Sequence, residues 1–257
     1  MSVTWIASYP KSGNTWVRFL LAHAMGASVE QVDDLGAHIP PVGRVDENDP
    51  RLDSDEGLLV KTHHRLTPEL PLLERTDRAI YVMRDPRDVL LSCIRYMPFR
   101  QAASDRRVLC ANLSAPKYAR RFVRTGGDPA WALGAYGTWR ENVESWTGRT
   151  PFPVLTVRYE DLRQNAAREL TRMIDFLGWR ATPAMIRRAV AKSDFERLRA
   201  AEQRRLLARG RPDGARFFAC GASGQSLDQI EPGLDEFFDT WFGEHAGAYG
   251  YDRRLAA

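Results

Sequence analysis

Apolar residues run almost unbroken from Val3 to Ala7, stop at Tyr9-Pro10, yield to Lys11-Ser12-Gly13, and resume at helical spacing through Trp16, Phe19 and Leu20. The pattern predicts strand, loop and helix, with the helix opening at Asn14 or Thr15 and Gly26 placed to end it. The same succession recurs. Leu58 to Val60 forms a second short strand that ends in Lys61-Thr62-His63-His64. Arg78 to Met83 gives a third, and Asp85-Pro86 supplies an N-cap and a first-turn proline for a helix expected to run to about Met97, before Pro98. Ala132, Tyr136, Trp139, Val143 and Trp146 recur at intervals of four and three, which predicts one amphipathic helix ended by Gly148. Packing explains that stripe without any ligand. Val154 to Tyr159 is the fourth strand, followed by a helix through Leu170, Ile174 and Leu177 to Gly178. Thr182-Pro183 opens another helix, Ser193-Asp194-Phe195-Glu196 reads as a capping box for one more, and Leu234 to Glu244 suggests a last.

Three stretches lack periodicity. Residues 28–57 are rich in Asp, Pro and Gly and predict a surface excursion with at most a short helical turn. Residues 100–129 read as mixed helix and loop. Residues 210–225, rich in Gly and Arg, read as a loop of the kind that closes over ligands. Strands alternating with helices predict an α/β fold, a P-loop-like parallel β-sheet flanked by helices on both faces, with ligands at the carboxyl ends of the strands. Without an internal repeat or low-complexity linker, residues 1–257 are expected to form a single domain.

Composition narrows the partners. The apolar fraction of 44% fits a globular chain, and no apolar run approaches the roughly 20 residues that span a bilayer. With no charged-then-apolar leader pattern, the expectation is a soluble, cytoplasmic protein. Cys93, Cys110 and Cys220 are widely spaced, which argues for free thiols over a disulfide framework or zinc site. A net charge of +4 suits an anionic partner. Because Arg and Lys are spread without a nucleic-acid module, no nucleic acid is expected and an anionic small molecule suffices.

The strand ends carry the candidate chemistry. After the first strand, the unpaired amides that open the helix can hold an anion, with Lys11, Ser12 and Thr15 adding donors. The stretch does not match the GxxxxGK[ST] phosphate loop: Gly13-Asn14-Thr15 stands where Gly-Lys-Thr would, and the lysine lies two residues before the glycine. Taken alone it is equally an ordinary strand-to-helix turn. The second strand delivers Lys61, His63 and His64; the third delivers Arg84 and, through its helix, Ser92; the fourth delivers Tyr159. The collection is cationic and hydroxyl-rich, with no carboxylate set that would hold a metal. A histidine near its reference pKa of about 6.5 is largely neutral at pH 7 and can accept a proton. His63 and His64 compete for that role, since neighbours on an extended segment point opposite ways.

These residues resemble the sulfotransferases that use 3′-phosphoadenosine 5′-phosphosulfate (PAPS), particularly the cytosolic type. Ser8-Tyr9-Pro10-Lys11-Ser12-Gly13-Asn14-Thr15-Trp16 is similar to the family's 5′-phosphosulfate loop, usually written TYPKSGTTW. Tyr81 to Val89, continuing to Ser92, resembles its 3′-phosphate segment; Val60-Lys61-Thr62-His63 resembles the segment bearing the catalytic histidine; Arg158-Tyr159-Glu160-Asp161-Leu162 resembles its YEDL segment. The matches fall in family order between Val3 and Gly178. The resemblance implies that Lys11, Ser12, Gly13, Asn14 and Thr15 hold the 5′-phosphosulfate, that Arg84 and Ser92 hold the 3′-phosphate, and that Trp16 and Tyr159 flank the adenine. The catalytic set it implies is His63 as general base with Lys11, Lys61 and Ser92, PAP as product and no metal. His64 is then expected to be structural or solvent-facing.

Two features depart from the family. Its C-terminal loop reads RKGxxG, whereas here Ala219-Cys220-Gly221-Ala222-Ser223-Gly224 keeps glycines, Gly221 among them, without the Arg-Lys pair. Arg216 is expected to substitute. Asn14 replaces the usual Thr. A P-loop nucleotide kinase and a non-catalytic nucleotide-binding module remain the alternatives. The acceptor is expected to be a hydroxyl of a small molecule or natural product. The run Arg95, Arg100, Arg106, Arg107, Lys117, Arg120, Arg121 and Arg124 suits an anionic acceptor, although a solvated basic face is the commoner explanation.

Overall fold

The protein is described from a computed structural model covering residues 2–53, 57–102, 113–210, 217–218 and 220–252, without the side chains of 98–102. Strands β1 (Val3–Ser8), β2 (Leu58–Thr62), β3 (Thr76–Met83) and β4 (Val154–Arg158) form one parallel sheet in the order β2-β1-β3-β4. Around it lie α1 (Asn14–Ala24), α2 (Leu35–His38), α3 (Pro86–Ala102), α4 (Ala115–Thr125), α5 (Pro129–Ala132) and α6 (Trp139–Thr147). The chain continues with α7 (Tyr159–Gln164), α8 (Ala166–Leu177), α9 (Pro183–Lys192), α10 (Phe195–Ala208) and α11 (Leu234–Gly247).

The alternation of side chains along a strand explains why both faces are covered. Val3, Trp5 and Ala7 of β1 enter one core with Val60, Tyr81, Trp139, Trp146 and Phe242. Ile6 enters the opposite core with Ile80, Val82, Val157 and the apolar stripes of α1 and α8. Because β1 is flanked by β2 on one side and β3 on the other, the chain departs from it in opposite directions, leaving a crevice at its carboxyl end. That crevice receives the loop after β1, the His63 segment after β2, Arg84 after β3 and Tyr159 after β4.

Several elements differ from the sequence expectation for identifiable reasons. Helix α3 does not stop before Pro98 but runs through it to Ala102. Proline's fixed φ is compatible with a helix, and its missing N–H forgoes the hydrogen bond to the Ile94 carbonyl. The stripe from Ala132 to Trp146 is two helices. Gly137 takes a positive φ of 71°, and a capping box between Thr138 and Glu141 restarts the helix at Trp139. Tyr136 is thereby freed from the helical face, while Trp139, Val143 and Trp146 stay buried. Tyr159 opens α7 instead of ending β4, and Asn165 caps α8, so one expected helix is two. Asp194, not Ser193, caps α10 by accepting from the Arg197 amide. Residues 28–57 hold α2 and two short 3₁₀ turns, Val42–Arg44 and Pro50–Asp53. Cys93 is a buried free thiol and Cys220 an exposed one; Cys110 lies outside the described residues.

Candidate functional site

The loop after β1 is shaped by two residues of positive φ, Lys11 at 70° and Gly13 at 103°. At Gly13 a side chain is excluded twice over, by that φ and because a Cβ would lie 2.5 Å from Cδ2 of Tyr159. No side chain caps α1, and the backbone N–H groups of Gly13, Asn14 and Thr15 meet no acceptor among the described residues. Three amides and the positive end of the helix dipole are therefore left for an anion. The Asn14 side chain does not join them. Its Nδ2 donates to the Ile6 carbonyl at 2.9 Å, so Asn14 offers its backbone only. The Ser12 hydroxyl is buried with no hydrogen-bond partner. The ammonium of Lys11 lies 3.7 Å from the Tyr96 ring centre and 4.4 Å from that of Phe217, held between two aromatic faces.

His63 follows β2 directly. Its Nδ1 lies 2.8 Å from the Ser8 carbonyl and 3.2 Å from the Ser8 hydroxyl. A carbonyl can only accept, so Nδ1 carries the proton and Nε2 keeps its lone pair. The backbone is fixed from the other side by α6. Fully buried Asn142 donates to the carbonyls of His63 at 3.0 Å and Tyr136 at 2.8 Å, and accepts from the Tyr81 hydroxyl at 2.9 Å. Trp146 Nε1 donates to the His64 carbonyl at 2.9 Å. His63 lines the cavity and His64 does not, as alternation along an extended segment requires. Burial foremost, then the charge of Lys61, holds the His63 pKa well below its ordinary value. Burial, followed by the nearby Arg18 charge, lowers Lys61 to about 8.

Arg84 is engaged by backbone, not by the neighbouring carboxylates. It donates to the Lys11 carbonyl at 3.1 Å and the Ala222 carbonyl at 2.7 Å, and its guanidinium lies 4.1 Å from the Tyr159 ring centre. Its Nε is buried without a partner. Asp88 instead accepts from the amides of Gly224 and Gln225 at 2.8 and 3.2 Å, and the Tyr159 hydroxyl donates to the Gly221 carbonyl at 2.9 Å. The C-terminal loop is thus stitched onto the strand ends. Trp16 and Tyr159 meet edge to face, with centroids 5.7 Å apart, and Trp16 Nε1 donates to the Ser193 carbonyl. They form one aromatic wall, not a parallel sandwich.

A cavity of about 410 Å³ brings together Lys11, Gly13, Asn14, Thr15, Trp16, Lys61, His63, Arg84, Ser92, Tyr159 and Gly221. Of the expected site residues, Ser12 is buried and does not line this cavity, and Arg216 lies outside the described residues. The structure adds Arg18, Tyr96, Tyr136, Phe195, Phe217 and Phe218 to the wall. Arg18 was accessible to sequence reasoning, because it stands one helical turn beyond Asn14. Tyr136 and the phenylalanines had no local signal. Of the basic run, Arg95 lines the cavity, whereas Arg120 pairs with Glu231 and stacks on Phe237, and Arg124 lies against Trp241. Arg100, Arg106 and Arg107 have no described side chains.

The family description "Sulfotransferase domain" matches residues 2–250. Human sulfotransferase 1E1 is 29% identical over 213 residues, covering 76% of this chain and 65% of that protein. Rat sulfotransferase 1A1 is 26% identical over 205 residues, covering 76% and 66%. The match therefore spans about two-thirds of the length of these relatives, and slightly less for the human protein. Among solved structures, mouse sulfotransferase SULT7A1 complexed with PAP superposes with a TM-score of 0.69 at 19% identity, covering 99% of this chain and 87% of that one. Retinol dehydratase in complex with androsterone and inactive cofactor PAP gives 0.68 at 19% identity, covering 95% and 80%. At that identity the likeness is one of fold. Among the described residues no helix is long and apolar enough to cross a membrane.

The clamp on the His63 backbone has a measurable energy. Asn142→Ala leaves the His63 and Tyr136 carbonyls without their donor and the proton of the buried Tyr81 hydroxyl without its acceptor, which is expected to cost about 2–4 kcal/mol in urea unfolding. Arg140→Ala, on the same helix but in an exposed pair with Glu144, is expected to leave the urea midpoint nearly unchanged.

Proposed function

The chain belongs to the sulfotransferase domain family, and from that premise we propose that it is a PAPS-dependent sulfotransferase acting on a hydroxyl of a small molecule or natural product. The observation that carries this reading is the set of unsatisfied donors around one loop. Among the described residues the amides of Gly13, Asn14 and Thr15, the Ser12 hydroxyl and the Arg84 Nε have no partners, while Arg84 is tied by its other nitrogens to the carbonyls of Lys11 and Ala222. Donors left unpaired in a buried place are costly unless a ligand completes them. A donor with phosphate groups at two separated positions does so: the amides, Ser12 and Lys11 take the 5′-phosphosulfate, and Arg84 with Ser92 takes the 3′-phosphate. The aromatic wall of Trp16 and Tyr159 offers a face for the adenine. Asn14 argues against a kinase, because the position of the P-loop lysine carries an amide tied to the Ile6 carbonyl.

The bound donor supplies a sulfuryl group on a phosphate leaving group. In the transfer the acceptor oxygen forms a bond to sulfur, the bond from sulfur to the phosphate oxygen breaks, and the acceptor proton passes to Nε2 of His63. Nδ1 stays bonded to the Ser8 carbonyl throughout, so the ring keeps its orientation and the imidazolium charge is spread toward that acceptor. Lys11 and Lys61 offset the charge that grows on the leaving oxygen and the transferring group.

Two outcomes are expected. Transfer from ³⁵S-labelled PAPS to a library of hydroxyl acceptors gives labelled product with the native protein. His63→Ala lowers it by roughly 10²–10⁴-fold, while PAP affinity changes little; transfer persisting at the native rate removes His63 as the base. The pH profile of kcat/KM supplies the second. Neutral His63 is the active form, so activity is lost as pH falls through its depressed pKa and the plateau extends below 6.5. Protonated Lys61 is the active form, so activity is lost as pH rises through about 8, and Lys61→Arg moves that limb to higher pH.

A further inference from the structure

Arg18 is an arginine placed where arginines are rarely found. It is only 6% exposed and lines the cavity. One terminal nitrogen donates to the Ile39 carbonyl at 2.6 Å, and its Nε is buried with no hydrogen-bond partner. The next carbonyl, that of Pro40, accepts from the backbone amide of Lys61 at 2.8 Å. Consecutive carbonyls of the segment before Pro41 therefore fix Arg18 and Lys61 side by side, next to His63 in the same cavity wall.

The two cations are not balanced. Among the described residues no Asp or Glu pairs with either side chain. Burial, then the charge of Arg44, brings Arg18 down to about 10. A desolvated pair of like charges is destabilising unless something anionic is brought to it. In the proposed transfer Lys61 faces the transferring sulfuryl group as well as the acceptor, but the donor's phosphates themselves do not require the pair. Their expected partners are the loop after β1 and Arg84 after β3, whereas Arg18 and Lys61 are held on the β2 side of β1, with the proposed base.

We propose that Arg18 and Lys61 form an anion subsite for the acceptor, so that the preferred acceptor carries a carboxylate or phosphate group near its reacting hydroxyl. The inference rests on the sulfotransferase reading and adds its substrate class. A planar guanidinium with an unpaired N–H matches the bidentate geometry of such groups, and Lys61 adds a point charge beside it.

The test uses probes without a hydroxyl, so no transfer intervenes. Protein saturated with PAPS is titrated with phenylacetate, phenyl phosphate and phenylacetamide. The expected result is that at least one anion binds about tenfold or more tighter than the amide, the tighter one identifying the group. The preference is expected to fall to about twofold or less in Arg18→Gln, which removes the charge and keeps a polar amide, and in Lys61→Met. Thermal melts verify that each variant is folded. Equal or absent binding of anions and amide by the native protein overturns the proposal, as does a preference that survives in both variants. An Arg18→Gln protein that loses PAPS affinity but keeps the anion preference also overturns it, assigning Arg18 to the donor. The donor reading is tested separately by the initial PAPS titration; if PAPS does not bind, that reading fails, and the three probes titrated without nucleotide still decide the subsite.

Discussion

One hydrogen bond, from Nδ1 of His63 to the carbonyl of Ser8, joins the carboxyl ends of β2 and β1, and the chemistry of the site depends on it. It fixes which ring nitrogen holds the proton and leaves the other as the acceptor. The bond forms because two adjacent parallel strands end at the same level, with Ala7 paired to Thr62 in register, so that the next residue of each faces the other across the crevice. The remaining constraints support this contact from behind: Asn142 and Trp146 of α6 hold the two histidine carbonyls, and the α6 helix is itself positioned by burying Trp139, Val143 and Trp146 against the sheet.

Electrostatics gives the crevice its character. Lys11, Arg18, Lys61 and Arg84 border one cavity, and the carboxylates nearby are directed elsewhere, Asp88 to the amides of Gly224 and Gln225 and Asp85 to Arg87. Burial foremost, then the charges of Lys61, Lys11 and Arg18, lowers the His63 pKa, and the same charges favour an anion in the cavity. Backbone carbonyls and aromatic faces orient these cations: Lys11 lies between Tyr96 and Phe217, and Arg84 over Tyr159.

Much of this was legible in the sequence because it is local. A short apolar run followed by Lys-Ser-Gly and a helical pattern specifies strand, loop and helix, and the rule that ligands gather at the carboxyl ends of parallel strands selects His63, Arg84 and Tyr159, which line one cavity. What was missed is tertiary. Arg18 reads as an ordinary helical arginine until the aperiodic segment 28–57 brings the Ile39 carbonyl to it. Tyr136 reads as part of a core stripe until the positive φ of Gly137 breaks the helix and leaves the ring beside His63. Trp16 and Tyr159 meet edge to face, a geometry that no local pattern in the sequence announces. The role expected of Arg216 falls outside the described residues, while the carbonyl of Ala222 occupies Arg84 from the same loop.

The central claim is that the loop after β1 and Arg84 together recognise an adenosine phosphorylated at both its 3′ and 5′ positions. Isothermal calorimetry of the native protein with 3′,5′-adenosine bisphosphate and with ATP plus Mg²⁺ tests it directly. Tighter binding of the bisphosphate, unchanged by removing Mg²⁺, is the predicted result. Tighter binding of ATP with a requirement for Mg²⁺ would contradict it.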